Sequence, residues 1–91
     1  MALRRTLQVV NQRGLHARAS AKFVGAVAAL PEGTRVRVAK DGHEAAGGSI
    51  LGLMMLGAAR GDRIELVVEG GDEAAVMEQL AALVTGGFGE E

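Results

Sequence analysis

The sequence predicts an α+β fold: a four-stranded antiparallel sheet with three helices on one face, in the order βαββαβα. Two observations carry this expectation. Short stretches alternate apolar and polar residues, as strands with one buried face do, while longer ones repeat apolar residues every three or four positions, as helices with one buried stripe do. Glycine, Asn and Asp punctuate the chain between them. Single-faced strands interleaved with single-striped helices fit a sheet covered on one side only. No repeat, linker or low-complexity segment breaks the 91 residues, so a single domain over residues 1–91 is expected.

Each element has its own signal. In residues 3–10, Leu7 and Val9 face one way and Thr6 and Gln8 the other, giving a first strand. Asn11-Gln12-Arg13-Gly14 reads as a loop. From Ala17 to Leu30 a stripe of Ala19, Phe23, Val27 and Leu30 marks a helix, stopped by Pro31-Glu32-Gly33. Val36 and Val38 alternate with Arg35 and Arg37 in a second strand, and Asp41-Gly42 signals a tight hairpin into a weak third strand at His43 to Ala45. The sheet should therefore turn an arginine-bearing face to water. After Gly47-Gly48, Ser49 stands where its hydroxyl can cap a short second helix, and Gly57 and Gly61 bracket the exit. Ile64, Leu66 and Val68 alternate with Glu65 and Glu69 in the fourth strand, with Val67 on the outer face. Asp72 caps a third helix with the stripe Val76, Leu80, Leu83 and Val84, ended by Gly86-Gly87. The tail, Phe88 to Glu91, is expected to be loosely held.

Composition narrows the function. Hydrophobic residues make up 48% of the chain but Phe23 and Phe88 are the only aromatics, so the core must rest on Leu, Val, Ile, Met and Ala. Without cysteine, disulfides, thiolate metal sites and cysteine nucleophiles are excluded. The longest uncharged apolar run, Ile50 to Ala59, falls short of the roughly 20 residues that span a bilayer. No signal-peptide core follows Arg4-Arg5, and a cytoplasmic protein is expected. A net charge of −1 gives no general attraction to nucleic acid or anionic membrane. The charges are polarised, however: Arg4, Arg5, Arg13, Arg18 and Lys22 crowd the start, and Glu69, Asp72, Glu73, Glu78, Glu90 and Glu91 the end.

The chemistry concentrates at Arg13-Gly14-Leu15-His16-Ala17-Arg18. His16 falls where the first helix begins, so first-turn amides without intrahelical acceptors, the positive helix end and the Arg18 guanidinium favour a bound phosphate. The backbone N–H groups of Ala17 and Arg18 are the expected amide donors. Gly14 permits a close backbone approach and an unusual turn. The helix end also disfavours the imidazolium, leaving the neutral, nucleophilic ring; an imidazole beside a phosphate site points to a histidine that is itself phosphorylated. His43, beside the Asp41-Gly42 turn, reads as a surface hairpin residue. Two histidines 27 positions apart with no ligand cluster between them make no metal site, and no cofactor is expected.

Gly14-Leu15-His16-Ala17-Arg18, followed by Ala21-Lys22-Phe23-Val24, resembles the active-site segment of the HPr phosphocarrier family of the bacterial phosphoenolpyruvate-dependent phosphotransferase system. The stretch from Gly48 to Gly57 and Ala59-Arg60-Gly61-Asp62 are similar to that family's second helix and exit loop. The resemblance implies an open-faced β-sandwich, with His16 as the phosphohistidine and Arg18 as the phosphate-handling arginine. It further implies transfer to the ring Nδ1 from phosphorylated Enzyme I and onward to a histidine of an EIIA-type protein. The chain would then be a stoichiometric carrier and not a free-standing enzyme, and a monomer is expected. Ser49 matches the family's regulatory serine, the target of HPr kinase/phosphorylase in some bacteria. Where many family members have proline after the arginine, this chain has Ala19, which adds an amide donor and lets the first turn fray.

The second helix is apolar nearly all round. Leu53 and Leu56 share a core side, while Ile50, Leu51, Met54 and Met55 point elsewhere. Ile50, Leu51 and Met54 are expected to join Ala17, Ser20, Ala21 and Lys22 in a docking patch around His16. An alternative role is mainly regulatory, in a nitrogen-related phosphotransferase branch or in catabolite control. An RNA-binding module is weaker because the sheet lacks stacking aromatics. A free-standing phosphatase or other enzyme is weaker still, needing a water-activating base near His16 when no carboxylate lies between Met1 and Ala29.

Overall fold

A computed structural model describes residues 2–90. Its order is β1 (Ala2–Gln8), α1 (Ala17–Ala28), β2 (Arg35–Lys40), β3 (His43–Ala46), α2 (Ile50–Met55), β4 (Arg63–Glu69) and α3 (Glu73–Thr85), then a 3₁₀ turn at Gly87–Gly89. The strands form one antiparallel sheet in the order β1-β4-β2-β3, and α1, α2 and α3 pack together with it around one apolar core.

Register explains the burial. Leu7 pairs with Ile64, Val36 with Val68, and Val38 with both Leu66 and Ala45, placing all of them on the inner face against α1 and α3. The residues between them, Arg4, Thr6, Glu65 and Arg37, form the outer face, where Arg4 pairs with Glu65 at 3.0 Å. Val67 lies on that face yet is buried, because its neighbours in register on either side are Arg4 and Arg37, whose aliphatic stems are long enough to cover it. Arg5, on the inner face at the sheet edge, reaches across to Glu78 of α3 at 2.7 Å. The Asp41-Gly42 hairpin has both residues at positive φ, +51° and +84°, as a two-residue turn twisted with its strands requires. Caps stand where the sequence placed them, with Ser49 Oγ accepting from Gly52 N–H at 2.9 Å and Asp72 Oδ1 from Ala75 N–H at 3.3 Å.

The end of the chain departs from expectation. Phe88 is 1% exposed and belongs to the core, although it adopts φ +58° between two glycines also at positive φ. The left-handed conformation costs about 1–2 kcal/mol. Burying the ring returns about 1.5–3 kcal/mol, and Lys22 Nζ donates to the Phe88 carbonyl at 2.7 Å. Residues 88–90 are therefore anchored, and Glu91 lies outside the described residues. Among the described residues no helix is long and apolar enough to cross a membrane.

Candidate functional site

Gly14 sets the geometry of the loop before α1. Its φ is +61°, and a side chain there would overlap the Ala58 carbonyl oxygen, the group that accepts from Leu15 N–H at 3.0 Å. The loop is thus pressed against the connection between α2 and β4. His16 follows with extended backbone angles and caps α1 with its own ring, Nδ1 accepting from Arg18 N–H at 3.3 Å.

The other ring nitrogen is also engaged. Nε2 lies 2.8 Å from Glu90 Oε2, and both side chains are mostly buried. A carboxylate can only accept, so Nε2 carries the proton, and Nδ1, which accepts from Arg18 N–H, carries the lone pair of the neutral ring. Asn11 holds this arrangement from below: its buried amide Nδ2 donates to the Gly14 carbonyl at 2.8 Å and to Glu90 Oε1 at 3.2 Å. Burial tends to raise the Glu90 pKa, but hydrogen bonds from Asn11 and His16 and the electrostatic attraction of His16 and Lys22 outweigh it. The carboxyl is held below the usual carboxylate range.

Around His16 is an open basin of about 370 Å³ lined by Gln12, Arg13, Arg18, Lys22, Gly89 and Glu90. Three of these are cationic. A larger hollow, about 570 Å³, lies under the β2–β3 hairpin against Thr6, Lys40, Asp41, Glu44 and Glu65. It contains no nucleophile poised as His16 is. Among the described residues no group of three or more His, Asp or Glu could hold a metal ion.

Arg18 and Lys22 are brought to the same basin as His16, although Lys22 commits one hydrogen bond to the tail. The Arg18 amide, expected as a phosphate donor, is occupied by Nδ1 in this state. Ser49 is engaged as the α2 cap. On α2, Ile50 and Met54 are 41% and 40% exposed, Leu51 is 67% and Met55 77% exposed, and on α1 Ala17, Ala21 and Lys22 face solvent. Ser20 corrects the sequence reading. It is fully buried, its Oγ donating to the Leu15 carbonyl at 3.3 Å, and so offers nothing to a partner. Ser20 is buried beside the stripe residue Ala19, so the packed side of α1 is wider there than the stripe alone indicated.

Sequence reasoning missed Glu90 and Asn11. No carboxylate stands near His16 along the chain, but Glu90 arrives from 74 positions away. It does not supply a water-activating base, however, because it binds Nε2 and Asn11 on the edge of the ring away from Nδ1. Asn11, three residues before Gly14, carried a readable signal as a turn residue; Glu90 carried none.

Residues 3–86 match the family model described as "PTS HPr component phosphorylation site". The chain is 44% identical over 88 residues to the phosphocarrier protein HPr of Neisseria meningitidis serogroup B, covering 97% of each, and 38% identical over 88 residues to that of Cupriavidus necator, again covering 97% of each. Its fold superposes on the crystal structure of HPr-C-His from Thermoanaerobacter tengcongensis with a TM-score of 0.89 at 35% identity, covering 98% of both chains. For an HPr from Bacillus anthracis the TM-score is 0.84 at 32% identity, covering 91% of this chain and 96% of that one.

Proposed function

This chain belongs to the HPr family of phosphotransferase-system phosphocarriers, and from that premise we propose that His16 is its carrier residue. Nδ1 takes a phosphoryl group from phosphorylated Enzyme I and yields it to a histidine of an EIIA-type protein. The observation that carries this reading is the polarity of the ring: Nε2 holds the proton against Glu90, and the Nδ1 lone pair stands at the positive end of α1.

The chemistry asks little of the protein beyond position and charge. When phosphorus bonds to Nδ1, the 3.3 Å contact from Arg18 N–H passes from the nitrogen to a phosphoryl oxygen. Ala17 N–H and the Arg18 guanidinium complete the cradle. Arg13 and Lys22 add positive potential across the basin and attract an anionic donor site. Because no base among the described residues faces Nδ1, water is not activated and the group waits for an acceptor. His16, Arg18, Lys22 and Glu90 complete the basin without a residue from a second copy, which supports a monomer as the working unit.

Enzyme I and EIIA dock on the exposed side chains of Ile50, Leu51 and Met54 with Ala17, Ala21 and Lys22. The methionine adapts to two different partners. Ser49 Oγ sits at the N-terminus of α2 beside this patch, so phosphorylation there by an HPr kinase/phosphorylase would put negative charge on the docking face without removing a core contact.

The test is a complete transfer cycle. With phosphoenolpyruvate and catalytic Enzyme I, the chain should take up one phosphoryl group with the phosphorus chemical shift of an Nδ1-phosphohistidine, and lose it when an EIIA protein is added. A charged chain that no EIIA discharges, or a signal from Nε2, would refute the reading.

A further inference from the structure

We propose that Glu90 is a positioning residue for phosphoryl transfer, holding a proton on His16 Nε2 throughout the cycle so that the ring attacks and departs as a neutral imidazole. The inference rests on His16 as the carrier and adds how its load is kept transferable.

In loading, the Nδ1 lone pair forms a P–N bond while the bond from phosphorus to the donor's histidine nitrogen breaks. The proton on Nε2 does not move, so the ring becomes a phosphoimidazolium and the donor's ring returns to neutral imidazole. In unloading, the electron pair of the Nδ1–P bond returns to the ring. If Nε2 still holds its proton the leaving group is neutral imidazole; if it has lost it the leaving group is imidazolate, which is far poorer. A carboxylate 2.8 Å from Nε2 favours the protonated, transferable form.

The surroundings make this role specific to Glu90. Every other charged group lining the basin, Arg13 from the loop and Arg18 and Lys22 from α1, is cationic and opposes a positive ring. Among the described residues Glu90 is their one counter-charge there. It is also rigidly placed: Asn11 occupies its second oxygen, Lys22 fixes the preceding turn through the Phe88 carbonyl, and the Phe88 ring is in the core. The Lys22 and Phe88 anchors do not involve the carboxylate, so substitution at Glu90 should leave the fold intact.

Two variants separate geometry from charge. Glu90→Gln keeps a hydrogen-bond acceptor at the ring, and Glu90→Ala removes it. Proton–nitrogen correlation spectra of the unphosphorylated neutral ring need no partner protein. They should show the proton on Nε2 in the native chain and in Glu90→Gln, and a tautomer mixture in Glu90→Ala. The phosphorylated forms, loaded by Enzyme I or directly by phosphoramidate, are then followed by phosphorus NMR as hydrolysis rate against pH. Both variants should move the inflection to lower pH by about one unit, as expected for loss of an adjacent opposite charge. A purely structural Glu90 would leave the Glu90→Gln profile in place. Superimposed profiles, or a single Nε2–H tautomer in Glu90→Ala, would overturn the proposal. Failure of Enzyme I to load the native chain would instead count against the carrier reading, while the tautomer spectra and the phosphoramidate-loaded forms would still decide the role of Glu90.

Discussion

Replacing Gly14 with alanine tests how tightly the loop before His16 is set against the rest of the chain. A Cβ at this position would overlap the Ala58 carbonyl oxygen and stand 2.8 Å from Ala59 Cα. Both are backbone atoms, so relief requires one of the two loops to move. A left-handed φ of +61° costs a non-glycine residue about 1–2 kcal/mol. Moving the loop also gives up the Leu15 N–H bond to Ala58, worth about 1 kcal/mol. The expected loss is therefore about 2–3 kcal/mol. Gly25→Ala is the internal control, since that residue lies inside α1 and, apart from its chain neighbours and the helix's own backbone, no atom lies within 4 Å of where its new Cβ would stand; the variant should gain about 0.5–1 kcal/mol. The chain has no Trp or Tyr, so urea unfolding is best followed by circular dichroism. With a slope of about 1–3 kcal/mol per molar, the Gly14→Ala midpoint should fall by about 1–2 M and that of Gly25→Ala should rise. A Gly14→Ala midpoint at or above the native value would refute the packing argument.

Phe88→Ala removes the anchor of the tail and should cost about 3 kcal/mol, lowering the melting temperature by well over 10 °C; an unchanged melting temperature would mean the ring is not part of the core. Leu51→Asp, at an exposed site, should alter stability by no more than about 0.5 kcal/mol while raising the KM for transfer from Enzyme I, and an unchanged KM would remove Leu51 from the docking patch. The Glu90 carboxyl titrates below its ordinary value of 4.5, so its stabilising contribution is complete above that pH and is lost as pH falls through the depressed value. The stability difference between the native chain and Glu90→Gln should accordingly shrink on acidification below about 4.5, and a constant difference in urea midpoint across that range would contradict the assignment.

What the sequence made legible was local periodicity. Ile64, Leu66 and Val68 announced the central strand β4, and Asp41-Gly42 the β2–β3 hairpin, because alternation and turn chemistry act between neighbours in sequence. The place of His16 at the start of α1 was legible for the same reason, since it stands between a glycine loop and an amphipathic helix. Glu90 was not, since nothing local distinguishes a terminal glutamate that binds a histidine 74 positions earlier from a solvated one. Phe88 was hidden by its setting: an aromatic among glycines reads as a frayed end until the core that receives it is known. Ser20 misled in the opposite direction, because a hydroxyl beside the helix stripe looked exposed while its bond to the Leu15 carbonyl allowed it to be buried.

The central claim is that one residue, His16, carries the phosphoryl group. Intact-mass measurement after incubation with phosphoenolpyruvate and Enzyme I tests it most directly, comparing the native chain with His16→Ala before and after mild acid. A single acid-labile phosphate is expected on the native chain and none on the variant. A phosphate of the same lability on His16→Ala, or none on the native chain, would contradict it.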